Sequence, residues 1–392
     1  MDRAARGRRD EGGAGIDIDT RAVLQRIARP RLTGSEGAAA VTADVRDTLE
    51  SFGYEVREQR FRFNPSFGRF ALSAVGAVYA IGAFAAAAFL YGGSVYPALV
   101  VLLLVLAIAG VIGMFGRPLL DSATLGQREG TNLLALPRSR PKYLVVAHRD
   151  SKSQPVPLSF RGPAIGFGIV AWVALFLIAI MSLAQPVGVG LTLFVGTAAF
   201  IAGLILVFCW VENHSPGALD NASGVVALLG LAAHEHEAGD VAFLVTDAEE
   251  LGLAGARAIA GRLPAVVGAI NMDGLDDEGG FWIVERFGWP RKRGLAPHLA
   301  AAMLRAADEL GFEARRRDVP FGIMLDHIPL VQGGTPAITV LRGGLHSLRR
   351  VHRPDDDLDH LRGDGIAPTI RLVARALELL RAQEPVIPAA AP

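Results

Sequence analysis

Asp240–Leu253 reads DVAFLVTDAEELGL. Val241–Val245 is an apolar run with the length and β-branched content of a buried strand. Two adjacent glutamates follow, Glu249 and Glu250, and Gly252 and Gly255 loosen the chain before a helix-like segment, Ala256–Ala260. A carboxylate pair at the C-terminal end of a strand stands where α/β proteins place their chemistry. Neighbouring carboxylates there repel each other unless a cation or a shared proton relieves them. An isolated Glu-Glu pair is also what the acidic first turn of a helix looks like. The flanking chain has to separate the two readings.

Outward from this stretch, short apolar strands alternate with helices. Tyr54–Phe63 alternates as a half-exposed strand does, and Thr131–Leu136, Tyr143–Ala147, Ala265–Ile270 and Ala337–Leu341 read as further strands. Thr20–Ala28, Ser35–Phe52, Gly224–His234, Pro297–Leu310 and Ile366–Leu380 have helical spacing, with Ser35 a capping residue and Gly53 a stop. This order predicts an α/β three-layer sandwich around a mostly parallel, mixed sheet. Right-handed crossovers bring the C-terminal ends of parallel strands to one edge. His148 and Asp150, Asp220, Glu249 and Glu250, Asp273 and His352 all follow strands or enter helices there. Imidazole with carboxylates and no thiolate suits catalytic zinc, or manganese or cobalt.

Lys+Arg and Asp+Glu both number 39, so no global basic field points to nucleic acid. The single cysteine, Cys209, excludes a disulfide framework within the chain. Hydrophobic residues make up 51% and the mean hydropathy is +0.35, high for a soluble enzyme. The cause is two blocks without a charged side chain, Phe70–Gly116 and Gly162–Val211. Each divides into two spans of about 20 residues: Phe70–Leu90 with Val95–Phe115, and Ala164–Leu183 with Val187–Trp210. Two such hairpins exceed what a buried core absorbs, so they read as four transmembrane helices.

The turns inside the hairpins carry no Lys or Arg, whereas Arg57, Arg60, Arg62, Arg69, Arg117, Lys142, Arg149, Lys152 and Arg161 crowd the other side. The positive-inside rule makes that side cytoplasmic. The leader MDRAARGRRDEGGAG has no apolar core of a signal peptide and reads as disordered. The expected organisation is a leader at 1–15, hairpins at 70–116 and 162–211, and one domain from 16–69, 117–161 and 212–385.

Six strings carry a family resemblance: AHRDS (147–151), GALDNASGVVALL (217–229), TDAEELGLAGARA (246–258), INMDG (270–274), DHIPLVQGGTPAI (326–338) and HRPDDDLD (352–359). In that order they resemble the co-catalytic zinc exopeptidases of aminopeptidase Y and bacterial leucyl aminopeptidase. The resemblance implies two zinc ions per chain, bridged by Asp220. His148 and Asp273 would complete one site, and Glu250 and His352 the other. It implies that Glu249 is the general base, that Asp150 holds the imidazole of His148, and that Asp356 orients the loop of His352. Asp326 and His327 match a position near the peptide substrate.

The second hairpin, between His148 and Asp220, departs from the family pattern. It turns the catalytic edge toward the bilayer, where it favours membrane-proximal peptides or tethers a general peptidase. The implied activity is removal of N-terminal residues from peptides by a membrane-anchored enzyme. Alternatives are glutaminyl cyclase-like acyl transfer on one zinc, and a non-catalytic receptor or scaffold.

Blander expectations fall on the remaining groups. His234 and His236 read as surface residues at a helix end, and His214 as interfacial. His346 competes with His352 as a ligand, but only His352 precedes the DDDLD string. Asp276, Asp277 and Glu278 read as a solvated loop, and Arg315–Arg317 as an exposed helix end.

Overall fold

The computed structural model describes residues 18–383, apart from 124, 289–290, 320–322 and 345. The leader expected at 1–15 lies outside the described residues. In chain order the elements are α1 (Thr20–Ile27), α2 (Glu36–Ser51), β1 (Glu55–Phe63), α3 (Ser66–Tyr91), α4 (Val95–Ser122), β2 (Arg128–Leu136) and β3 (Tyr143–His148). Then come α5 (Leu158–Met181), α6 (Val189–Val207), α7 (Ser223–Glu235), β4 (Val241–Thr246), α8 (Ala254–Ile259), β5 (Gly268–Leu275) and β6 (Gly280–Arg286). The last are α9 (Pro297–Leu310), β7 (Ala314–Asp318), α10 (His327–Gln332), β8 (Ala337–Gly343) and α11 (Ile366–Gln383). Asp19 caps α1, and Ser35 caps α2 by accepting from the Ala38 amide at 3.2 Å.

The strands form one eight-stranded sheet in the order β1-β2-β4-β3-β5-β8-β6-β7. Its centre, β4-β3-β5-β8, is parallel. The antiparallel pairings β1 to β2, β2 to β4 and β6 to β8 make the sheet mixed. Every residue of β3 is buried, as expected of a strand covered on both faces. Tyr143, Val145 and Ala147 point into a core shared with α1, α2, α7, α9 and α11. Leu144 and Val146 point the other way, into a smaller core with Ile259 of α8 and Leu330 and Val331 of α10. The period of two along β3 thus separates the layers of the α/β sandwich.

α3, α4, α5 and α6 are long and apolar enough to cross a membrane. α3, α4 and α5 run beyond the uncharged blocks, because helical hydrogen bonding continues past the last apolar residue, whereas α6 stays inside its block. α3 starts at Ser66, whose amide donates to the Asn64 side chain at 3.0 Å; α4 passes Arg117 and Pro118; α5 starts at Leu158. α3 and α6 approach closely: a Cβ on Gly203 would stand 2.7 Å from the Ala80 amide nitrogen. Tyr79 of α3 lies against Trp172 of α5, ring centroids 4.7 Å apart.

Three expectations need correcting. β6 is not among the strands read from the sequence, because its apolar run, Phe281–Val284, is only four residues long and ends at Glu285 and Arg286. Arg315–Arg317 is not a helix end but the middle of β7, a charged edge strand paired to β6. Asp276 is not solvated: it is 2% exposed and accepts from Ser347 Oγ (2.7 Å) and Arg350 Nη2 (2.8 Å). A buried carboxylate persists when such donors replace water.

Candidate active site

β3, β4 and β5 lie side by side in the parallel part of the sheet, so their C-terminal ends meet. β3 delivers His148, the turn after β4 delivers Glu249 and Glu250, and β5 delivers Asp273. Asp220 enters from the irregular turn before α7, and His352 from the loop after β8. His148 Nε2 lies 3.2 Å from Asp220 Oδ1 and 3.6 Å from Asp273 Oδ1. His352 Nε2 lies 3.1 Å from Asp220 Oδ2 and 3.3 Å from Glu250 Oε2. Asp220 therefore offers one oxygen to each of two groups, His148–Asp220–Asp273 and Asp220–Glu250–His352.

The turn carrying the glutamates is tightly specified. Its ends, Ala248 (φ 55°) and Leu253 (φ 60°), both sit in the left-handed region, as does His352 (φ 64°). Non-glycine residues rarely adopt it, and such strain persists where surrounding structure over-determines the backbone. Here the Gly252 and Leu253 amides donate to Glu249 O at 2.8 and 2.7 Å. The Asp150 carboxylate accepts from the Glu249 and Glu250 amides, both at 3.1 Å. Its expected contact with the imidazole is the weaker one: Asp150 Oδ1 stands 3.6 Å from His148 Nδ1, and the backbone carbonyl of Asp150 is nearer, at 3.1 Å.

Residues 196–377 match the model of peptidase family M28. That stretch, somewhat under half of the chain, is similar to the M28 peptidases. No curated protein matches the chain by sequence. Among solved structures, the aminopeptidase from Aneurinibacillus sp. strain AM-1 is similar at 15% identity and a TM-score of 0.53, covering 91% of this chain and 92% of that one. A zinc aminopeptidase from Bacillus subtilis matches at 14% and 0.55, over 93% and 96% of the two chains. A glutaminyl cyclase from Porphyromonas gingivalis matches at 15% and 0.52, over 92% and 97%. At such identities the likeness is one of fold, and both chemistries occur on it.

The two residue groups fit divalent cations. Imidazole nitrogens and carboxylate oxygens are the donors a catalytic zinc takes. Glu250 Oε1 is buried and has no hydrogen-bond partner, a position a polar atom keeps only when something else satisfies it. Glu250 Oε2 is held by Lys152 Nζ at 2.6 Å. Burial disfavours the Glu250 charge, yet His352 and Lys152 hold its carboxyl down to about 2. Asp220 is also driven well below the usual range; burial opposes this, and the two histidines outweigh it. Glu249 belongs to neither group. Burial, reinforced by Glu250, Asp326 and Asp273 against the pull of His148, raises its carboxyl well above the ordinary value.

A cavity of about 500 Å³ is lined by His148, Asp220, Glu249, Glu250, Asp273 and His352 together with the apolar Leu158, Trp282, Met324, Leu341 and Leu348. Asp326 and His327, expected near the substrate, do not line it: both are fully buried. Thr246 Oγ1 donates to Asp326, and His327 Nδ1 lies 2.7 Å from Thr339 Oγ1. These contacts hold them against β4 and β8. Asp356, expected to orient the loop of His352, reaches across to the Asp220 turn. Its carboxylate accepts from the Leu219 (2.7 Å) and Asp220 (3.1 Å) amides, which ties the loop carrying His352 to the turn carrying Asp220.

Sequence reading missed the cations. Arg31, fully buried, donates to Gly217 O at 2.9 Å and to Pro216 O, bracing the approach to Asp220. Burial lowers its guanidinium to about 10, against the nearby carboxylates Asp356 and Asp150. Arg161 Nη2 stands 3.0 Å from His352 Nδ1. Both arginines sit in stretches read for turn or topology, and only tertiary contact reveals them. His346, half exposed and 3.4 Å from Asp276 Oδ2, belongs to neither group. His234 is a surface residue as expected, whereas His236 is part-buried on Ala233 O at 2.8 Å; His214, just after α6, has 67% of its side chain exposed.

Proposed function

We propose that the chain is a membrane-anchored di-zinc aminopeptidase. The observation that carries this reading is Asp220, with one oxygen 3.2 Å from His148 and the other 3.1 Å from His352. His148, Asp220 and Asp273 would hold one ion and Asp220, Glu250 and His352 the other. Such ions, when bound, polarise a carbonyl and lower the pKa of water.

The chain's own residues supply the rest. Glu249, outside both groups and with a raised proton affinity, takes the proton from the attacking water onto its carboxylate and returns it to the leaving amine. Asp150 fixes the direction of both glutamates through their amides. The cavity's apolar wall receives the N-terminal side chain and excludes water. The acids at its closed end receive the substrate's free amine. In this reading 70–116 and 162–211 cross the bilayer as two hairpins, and residues 16–69, 117–161 and 212–385 form the peptidase domain on the cytoplasmic side.

Aminoacyl amides offered beside peptides with N-terminal glutamine test the reaction. Release of the first residue supports the proposal. Cyclisation of the glutamine without such release would replace it with the acyl-transfer chemistry also found on this fold.

A further inference from the structure

The apolar helices and the metal groups meet at one level. In α5 the roughly 20 uncharged residues from Gly162 to Met181 fill a hydrocarbon core of about 30 Å. Arg161 therefore stands at the hydrocarbon edge, and its guanidinium is 3.0 Å from the His352 ring. The headgroup layer beyond that edge is about 5–8 Å thick, which the reach of one arginine side chain does not exceed.

Two other helix ends give the same level independently. Arg117, the first charged residue after the apolar part of α4, donates to Gly252 O at 2.6 Å, two residues from Glu250. Gly68, just before the uncharged block of α3, packs on the same turn: a Cβ there would lie 2.6 Å from Leu251 Cα and O. Around these feet, Phe160 (65% exposed) and Phe208 (46%) present aromatic rings outward, as side chains at a membrane interface do. Leu158 and Arg161, from the first turn of α5, are themselves cavity wall, and Met324, half exposed, lies at the cavity's rim.

From these placements we infer that the metal groups lie within the headgroup layer, and that the substrate is a peptide whose free N-terminus is held in that layer by a nearby membrane anchor. The inference rests on the aminopeptidase reading for its chemistry and on the helix ends for its location. A site at headgroup level meets chain ends close to an acyl chain or membrane helix, whereas a site raised on a tether meets chain ends far from one.

The full chain in lipid nanodiscs tests both halves. Peptides sharing one N-terminal sequence are offered free in solution, or acylated at a C-terminal lysine through a spacer of a few residues or of about 20. The short-spacer peptide should be cleaved with kcat/KM at least tenfold above the other two. Equal or faster cleavage of the long-spacer or free peptide would overturn the substrate assignment. Independently of activity, a nitroxide on Met324→Cys should be relaxed by headgroup-depth reagents; Cys209 is buried and escapes labelling. Relaxation by aqueous reagents alone would overturn the location. A label at headgroup depth with no peptide cleaved would instead overturn the substrate half together with the peptidase reading.

Discussion

Glu249 and Glu250 are adjacent in sequence, yet their carboxylates experience opposite fields. His352 and Lys152 draw Glu250 toward its charged form, whereas Glu249 is buried among other acids and resists losing its proton. In the proposed mechanism Glu249→Gln removes the proton acceptor and leaves both residue groups intact. Turnover should fall by about 10²–10⁴-fold, with metal content by elemental analysis unchanged; loss of metal in this variant would place Glu249 among the ligands. His327 offers a second test. Burial depresses its imidazole to about 4, below the unfolded value of about 6.5. The unfolded chain then binds the extra proton, so stability is lost as pH falls from about 6.5 toward 4. Thermal melting at pH 7 and pH 5 should show a larger decline for the wild type than for His327→Asn. At this scale the gathering of His148, Asp220, Glu250, Asp273 and His352 was legible, because each follows a strand or enters a helix at one edge of the sheet. The partners of Asp150 and Asp356 were not, since a carboxylate's choice between an imidazole and two amides depends on backbone turns that sequence spacing does not define.

The elements explain how remote pieces of chain are fixed to one another. Gly252 (φ +97°) has a conformation that suits glycine, and a Cβ there would overlap the Arg117 guanidinium. Gly252→Ala should therefore disturb the glutamate turn and lower kcat at least tenfold, while Arg117→Met in the same chain should recover part of the loss. Steady-state kinetics of the single and double variants check this; identical losses in both would remove Arg117 from the explanation. Strands with continuous apolar runs, β3, β4 and β8, were readable from sequence because both of their faces are covered. β7 was not, because an edge strand carrying Arg315, Arg316 and Arg317 has the composition of a solvated turn and owes its pairing to β6.

For the whole molecule, the two apolar hairpins interrupt the chain of the α/β sandwich without interrupting its sheet. β2 and β3 flank β4 although α3 and α4 precede them, and the chain returns from α6 to place Asp220 beside His148. Three of the four helices touch the glutamate turn or His352 at their charged ends, so hairpins and site form one structure. The hairpins were legible because absence of charge over spans of about 20 residues has few other causes. Their contact with the site was hidden, since Arg117 and Arg161 also satisfy a rule about loop charge. The measurement that bears most directly on the account is zinc content per chain, determined by elemental analysis of detergent-purified wild type and Asp220→Ala. About two zinc ions in the wild type and loss of both in the variant is the expected result. A single zinc in the wild type, or a variant that keeps two, would contradict a centre built around Asp220.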